Sequence, residues 1–438
     1  MKKTKILSSQ RVIILSFSVM ILIGTLLLML PVSSKGKTPF LDALFTATSA
    51  SCVTGLVVFD TASYFTVFGK AVIMIMIQIG GMGVITIAMI LTKLSGKKIG
   101  LAGRSLMQDS ISAPKLGGIL SLTGFIIKTA VFIELLGATA LMYPMVSKYG
   151  FLKGMLYSVF HSVSAFCNAG FDVLGNKAPF SSLCIFESDV IINVTIMLLI
   201  IIGGIGFVTW DDIKKYKFHF SKYRMQTKAV LLFTLFLVFI PALFFYFFEF
   251  SKLPLPSRIL ASLFQSVTLR TAGFNTVSFE RVSESGKLIM IFLMLIGGSS
   301  GSTAGGMKVT TFAVVTASVI SVFKRKKNGE MFGRRIPDET VKNALAIVSM
   351  YILLFVAGGI IISMIEGLPL LSCLFETASA IGTVGLTVGI TPFLSAISKI
   401  ILIVLMFLGR VGGLTFVFAT VSHSNSEIML PSENIIVG

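Results

Sequence analysis

Two short blocks of sequence recur four times in the same order, so the chain must be built from four copies of one unit. The first block reads LFTATSASCVTGLVVFD, VFHSVSAFCNAGFDVLG, LFQSVTLRTAGFNTVSF and LFETASAIGTVGLTVGI. Each copy opens on a Phe (Phe45, Phe160, Phe264, Phe375), continues with small and hydroxyl residues, and reaches a Gly (Gly55, Gly170, Gly273, Gly385). The Phe-to-Gly spacing is ten, ten, nine and ten, so the third copy is one residue shorter. The second block reads IGGMGVIT, IGGIGFVT, IGGSSGST and LGRVGGLT, with a Gly in second place and a Thr six residues later in every copy. A repeat of about 110 residues must be recognised before any single motif is interpreted.

The surroundings of these blocks set the solvent. Apolar runs cover about 12–30, 69–92, 118–143, 189–210, 228–248, 287–323, 341–365 and 397–421, each long enough for a span of about 20 residues. The chain is 55% hydrophobic and 13% charged, with a mean hydropathy of +0.93. That composition defines a polytopic membrane protein and excludes a water-soluble fold. The shorter apolar stretches at 40–51, 152–166, 259–268 and 370–380 cannot cross a bilayer and are expected to be re-entrant. The fold class expected is therefore all-α, with four units of span, re-entrant helix and span: eight spans in all. The expected bounds are 1–95, 115–212, 226–323 and 340–422, with a C-terminal tail over 423–438.

Charge orients the chain. Of its 37 basic residues, 22 lie in four segments: Lys2–Arg11, Lys93–Lys115, Lys214–Lys228 and Lys324–Lys342. Excess Lys and Arg mark the cytoplasmic side, which places both termini there. The net charge of +18 is thus read as membrane topology rather than nucleic-acid binding. The first apolar run is long enough to span and no cleavage site follows it, so it is read as a retained helix. Each unit crosses twice, so all four share one orientation. They are then related by a pseudo-fourfold axis along the membrane normal and enclose one central pore. Non-helical backbone at membrane depth is tolerated only where it is buried in protein or lines such a cavity.

The re-entrant helices end in Val53-Thr54-Gly55, Asn168-Ala169-Gly170, Thr271-Ala272-Gly273 and Thr383-Val384-Gly385. Gly at the third place permits positive φ and lets successive carbonyls face inward, where rings of oxygen can replace a cation's hydration shell. No ring of acidic side chains accompanies these triplets, which argues against divalent selectivity. The sixth apolar run is interrupted by Gly297-Gly298-Ser299-Ser300-Gly301-Ser302-Thr303-Ala304-Gly305-Gly306-Met307-Lys308. The run spans 37 residues, nearly twice what a bilayer needs, so it must break. The break is read as a flexible plug across the cytoplasmic half of the pore, with Lys308 as a possible latch. On this reading, deleting Ser299–Gly305 raises flux and leaves selectivity intact. Arg410 replaces the Gly of the aligned positions Gly81, Gly204 and Gly298, and its charge in mid-span is read as a barrier to cations.

These triplets, the repeated short helices, the glycine-broken sixth span and Arg410 together resemble the Trk/Ktr/HKT superfamily of K⁺ transporters over almost the whole chain. Only about ten residues precede the first span, so the chain is similar to the KtrB-type membrane subunit and lacks the two extra N-terminal helices of Trk-type subunits. The resemblance implies K⁺ selectivity, since Gly stands at all four filter places. It also implies looser selectivity than the TVGYG filters of K⁺ channels. It further implies a homodimer with one pore per protomer, in the plasma membrane and the lipid bilayer. The expected partner is a cytosolic RCK-type, KtrA-like nucleotide-binding ring that carries ATP or ADP, this chain binding no cofactor itself. A Na⁺-coupled symporter with alternating access is the competing reading.

Other features carry less. Asp42 is read as a helix N-terminal charge, Glu376 as a filter anchor and Arg270 as structural; Lys128 and Glu134 are unassigned. GGSSG (Gly297–Gly301) fits a nucleophile elbow, but no strand or placed His goes with it. GSTAGGMK (Gly301–Lys308) has Met307 where a phosphate-binding loop needs Lys. The four Cys and three His lack metal-site or disulfide spacing. No enzymatic activity is expected.

Overall fold

Each unit opens with a helix that meets hydrocarbon on one face and the rest of the protein on the other. The computed structural model describes residues 8–95, 99–111, 117–175, 179–279, 282–413 and 415–416. The expected tail over 423–438 and the end of the last span fall outside the described residues, as do Lys2, Lys3, Lys5, Lys97, Lys98 and Lys115. The first unit holds α1 (Ser9–Leu28), α2 (Phe40–Ser51), α3 (Thr61–Tyr64), α4 (Val67–Met82) and α5 (Val84–Leu94), and is followed by α6 (Leu101–Ile111). The second holds α7 (Ile119–Tyr149), α8 (Phe151–Phe166), α9 (Val190–Gly204) and α10 (Phe207–Tyr216). The third holds α11 (Met225–Phe244), α12 (Leu255–Thr268), α13 (Glu284–Leu295) and α14 (Val309–Phe323), then a two-stranded antiparallel hairpin of β1 (Glu330–Met331) and β2 (Arg334–Arg335). The fourth holds α15 (Asp338–Glu366), α16 (Leu370–Gly382) and α17 (Ala396–Val411).

Local sequence explains where these helices start. Pro39, Pro254 and Pro369 immediately precede α2, α12 and α16, where a missing N–H costs nothing. The second helix of every unit starts at a side-chain cap: Thr66 for α4, Asp189 for α9, Ser283 for α13 and Ser395 for α17. Such a cap satisfies one of the free amides of the first turn and contributes about 1 kcal/mol.

Of the eight expected spans, with the sixth expected to break, four are continuous helices among the described residues. The helices that open the four units (α1, α7, α11 continued to Glu249, and α15) are unbroken and apolar enough to cross a membrane. The described second helices are interrupted, and not only the one in the third unit. The α4–α5 pair breaks at Gly83 (φ +88°), α9–α10 at Gly206 (φ +91°) and α17 ends at Gly412 (φ +90°). The α9–α10 break bends the chain by 94°. These three glycines occupy the fifth place of the second block, and positive φ ends a right-handed helix there. The third unit has Ser300 at that place, and instead of one sharp break it runs as coil from Ile296 to Lys308.

The units close a ring. Each second helix packs on the short helix of the next unit: α4 on α8, α9 on α12, α13 on α16, and α17 on α2. In the first, second and fourth units the short helix also lies against its own second helix, at distances only Gly allows. A methyl group on Gly80, Gly203 or Gly409 would collide with the carbonyls of Ser51, Phe166 or Ile381 at the ends of α2, α8 and α16. This packing explains the invariant second-place Gly in those three copies.

Three of the four junctions are continuous in the chain, and the fourth closes without a covalent link. There Lys399 Nζ on α17 donates to Asp42 Oδ1 on α2 at 2.8 Å, with the two side chains only 12% and 14% exposed. Asp42 is thus both a first-turn helix charge and the partner of a residue 357 positions away. Removing one member of such a pair strands the other charge, at a cost of about 3 kcal/mol. Asp42→Asn and Lys399→Met should each lower the thermal unfolding midpoint in detergent by several degrees, and the double variant should recover most of the loss. Additive losses in the double variant would show that the pair is not coupled.

Candidate functional site

The four triplets meet at the centre of the ring. Val53, Asn168, Thr271 and Thr383 all adopt left-handed backbone, with φ of 59°, 60°, 65° and 50°. Gly55, Gly170, Gly273 and Gly385 are also at positive φ, and the residue between each pair is not. Alternating handedness turns successive peptide groups the same way, unlike the alternating faces of a strand. Val53, Thr271 and Thr383 are β-branched, for which this conformation costs on the order of 1–3 kcal/mol each.

Hydroxyls at one recurring position hold the strained triplets. Ser49 Oγ accepts from Gly55 N at 3.0 Å, and Ser379 Oγ from Gly385 N at 3.0 Å. Ser164 Oγ instead donates to Phe171 O at 2.8 Å, and Thr268 Oγ1 to Phe274 O at 2.6 Å. The carbonyls of Ser49, Ser164 and Ser379 accept the amides of Thr54, Ala169 and Val384. The sequence reading saw only "small and hydroxyl" here; the signal was a hydroxyl at the same register in all four copies.

The triplets interlock in cyclic order. A methyl group on Gly55 would lie 2.5 Å from Ala169 O, and one on Gly170 would lie 2.6 Å from Ala272 O. One on Gly273 would strike Val384 O, and one on Gly385 would strike Thr54 O. The circuit runs through units one, two, three, four and back to one. The hydroxyls of Thr54 and Thr383 are buried there with no protein partner.

Beside the first residues of the triplets lies the segment 297–308. Its ends are tied together by Gly297 N to Met307 O at 2.7 Å and Val309 N to Gly298 O at 2.9 Å. Ser299 N donates to Gly204 O at 2.8 Å, Phe207 N to Gly301 O at 2.7 Å, and Gly306 N to Gly409 O at 3.0 Å. Methyl groups on Gly297 and Gly305 would meet Thr271 and Thr383. Thr303 Oγ1 donates to Phe166 O at 3.0 Å. The segment thus reaches the second, third and fourth units.

Arg410 joins the segment to the first unit. Nη1 donates to Thr303 O, and Nη2 to Gly80 O and, at 3.0 Å, to Gly81 O. Lys308 Nζ donates back into the segment, to Ala304 O at 2.7 Å and Gly305 O at 3.4 Å. The segment and Arg410 also border a cavity of about 350 Å³, which Asp109 and Ser110 of α6 line as well. The sequence reading placed no helix at α6.

Glu376 and Glu134 have structural partners. Glu376 is fully buried and accepts from Thr387 Oγ1 (2.6 Å), Val388 N (3.1 Å) and Thr391 Oγ1 (2.5 Å), pinning the chain that leaves the fourth triplet. Glu134 accepts from Gln78 Nε2 at 2.9 Å and 3.3 Å, while Lys128 is exposed on α7. Arg270 is buried, and its carbonyl accepts from Asn168 Nδ2 at 3.4 Å. Beyond the second triplet, burial pushes the Asp172 carboxyl up to about 6, opposed by the Leu174 amide that donates to it and reinforced by the charge of Asp60.

This arrangement matches a known family. Residues 3–435 match the TrkH family model, described as cation transport protein. The chain belongs to this family of membrane cation transporters. It is 40% identical over 434 residues to Ktr system potassium uptake protein B of Bacillus subtilis, covering 98% of this chain and 96% of that protein. It is 38% identical over 448 residues to potassium/sodium uptake protein NtpJ of Enterococcus hirae, covering 99% and 98%. The crystal structure of the potassium transporter TrkH from Vibrio parahaemolyticus shares the fold, with a TM-score of 0.76 at 20% identity over 96% of this chain and 86% of that one.

The ring geometry separates steric from backbone effects. Gly385 (φ +91°) faces Thr54 O, whereas Gly389 (φ +96°) has no atom within 4 Å of an added methyl. Gly385→Ala should abolish cation uptake in a transport-deficient host at normal expression. Gly389→Ala, which bears only the backbone cost of about 1 kcal/mol, should retain most of it. Equal loss in both would show that the close approach is not what matters.

Proposed function

We propose that the chain is the K⁺-translocating subunit of a Ktr-type uptake system, conducting through a carbonyl-lined filter. The observation that carries this is the closed circuit of four triplets with alternating φ sign at Val53–Gly55, Asn168–Gly170, Thr271–Gly273 and Thr383–Gly385. Aligned carbonyls at the centre of a membrane protein serve a dehydrated monovalent cation. The unpartnered hydroxyls of Thr54 and Thr383 suit the same ligand. K⁺ is the cation by analogy with the relatives named as potassium uptake proteins.

On this reading the four units are the pore-forming repeats over 1–95, 115–212, 226–323 and 340–422. Segment 297–308 is the gate, and Arg410 is the electrostatic barrier beside it. The gate is not a slack plug: it is hydrogen-bonded to the second and fourth units and held by Arg410. Opening it therefore means exchanging those hydrogen bonds. The energy for that exchange is assigned to a cytosolic RCK-type ring that binds ATP or ADP, docked on the basic cytoplasmic face. The working assembly is a homodimer in the plasma membrane, with both termini cytoplasmic.

Proteoliposome flux tests the reading. Arg410→Ala removes the charge and the ties to Thr303, Gly80 and Gly81, and K⁺ flux should rise about tenfold, the equivalent of roughly 1.4 kcal/mol off the barrier. Unchanged flux would remove the barrier role. The name of the Enterococcus hirae relative, a potassium/sodium uptake protein, keeps the coupled-symport reading in play. Flux that needs Na⁺ on the same side would favour that reading over channel-like conduction.

A further inference from the structure

We infer that Thr303 couples the intramembrane segment to the filter, so that the segment sets cation preference as well as flux. The inference rests on the filter reading given above.

Thr303 is fully buried and held on three sides. Its hydroxyl donates to Phe166 O at 3.0 Å and reaches Asn168 Oδ1 at 3.4 Å. Its amide donates to Gly203 O at 3.3 Å, and its carbonyl accepts from Arg410. Asn168 is the first residue of the second triplet and stands in the left-handed region, φ 60°. Its Nδ2 donates to Arg270 O at 3.4 Å and reaches Thr271 Oγ1 at 3.5 Å, both in the third unit. The amide therefore spans two adjacent filter strands, and its oxygen end faces the Thr303 hydroxyl. The nitrogen donates to a carbonyl, while the single Thr303 hydroxyl proton is shared between Phe166 O, the shorter contact, and the Asn168 oxygen.

Of the other first-place residues, Val53 has no polar side-chain atom, the Thr383 hydroxyl is unpartnered, and the Thr271 hydroxyl meets Asn168 itself. The recurring Thr of the second block also behaves differently here. Thr86 is its counterpart in the first unit and is buried with an unpartnered hydroxyl. In the third unit, the coil that replaces a sharp Gly break brings the equivalent Thr to the filter. A shift of the segment away from Arg410 would withdraw the Thr303 hydroxyl from Phe166 and Asn168. The second and third strands would then lose their shared brace. Gate position and filter shape are one coupled equilibrium. This reverses the expectation that deleting Ser299–Gly305 leaves selectivity intact, because the deletion removes the brace.

The test uses the full chain in proteoliposomes and reads the ratio of initial K⁺ to Na⁺ flux. Thr303→Val removes the hydroxyl at constant shape and should lower the ratio about three- to tenfold, the range one buried hydrogen bond supplies. Thr303→Ser should restore a ratio near that of the parent. In an Asn168→Ala background Thr303→Val should add little further change. A parent-like ratio in Thr303→Val, whatever its absolute rate, overturns the inference. If Thr303→Val does not conduct, thermal stabilisation by K⁺ relative to Na⁺ in detergent replaces flux. Loss of the K⁺ advantage in the Val variant alone supports the coupling, and its retention overturns it. Gly170→Ser separates the two levels. If it leaves the flux ratio unchanged, the filter reading itself fails. If it lowers the ratio while Thr303→Val does not, only the coupling fails.

Discussion

Backbone at membrane depth has no water to bond, and this constraint governs the whole structure. Each unpaired N–H or C=O in hydrocarbon costs several kcal/mol, so irregular segments survive only where protein or a cavity satisfies them. Among the described residues, the four triplets and the coil at 297–308 are the longest such segments within the helical core. The triplets adopt left-handed conformations unfavourable for Val53, Thr271 and Thr383. Hydrogen bonds accepted by Ser49 and Ser379 and donated by Ser164 and Thr268 offset that strain at about 1 kcal/mol each. The outer helices form the wall that keeps lipid away from these groups.

The same constraint explains where the fourfold symmetry fails. At the triplets the four units are near-equivalent, each lying against the next in one cyclic sense. One layer away they diverge. Three units break at a fifth-place Gly, while the third runs as coil and the fourth carries Arg410. The two exceptions meet: the guanidinium bridges the coil at Thr303 and the first unit at Gly80 and Gly81. The half-buried Arg410 is tolerated because its donors find carbonyls at helix breaks: Thr303 O, Gly81 O and Gly80 O, the last of which also accepts Gly83 N. The coil exposes carbonyls, and the Arg supplies donors for them.

Much of this was legible in the sequence because repetition multiplies weak signals. The four short helices appear within a few residues of their expected places, because apolar length and Pro positions are local properties. The triplets and Arg410 were found by alignment of the copies. The hydroxyl anchors and the fifth-place Gly recur as well, but small and hydroxyl residues are so frequent in these stretches that recurrence at one register carries little weight until the contacts are seen. Helix α6 was missed because its composition is polar and its charges read as a loop; only two of its residues, Met107 and Ile111, are buried.

The sequence alone determined the solvent, the number of units, the positions of the triplets and the place of the broken span. Those follow from apolar length, glycine placement and internal repetition, all of which act over a turn or two of chain. Only the tertiary structure decided how the units meet. It paired Asp42 with Lys399 across 357 residues and set Arg410 on the first unit. It also brought Thr303 under the second triplet. These contacts join parts of the chain with no local relation, and they exist because the ring closes on itself.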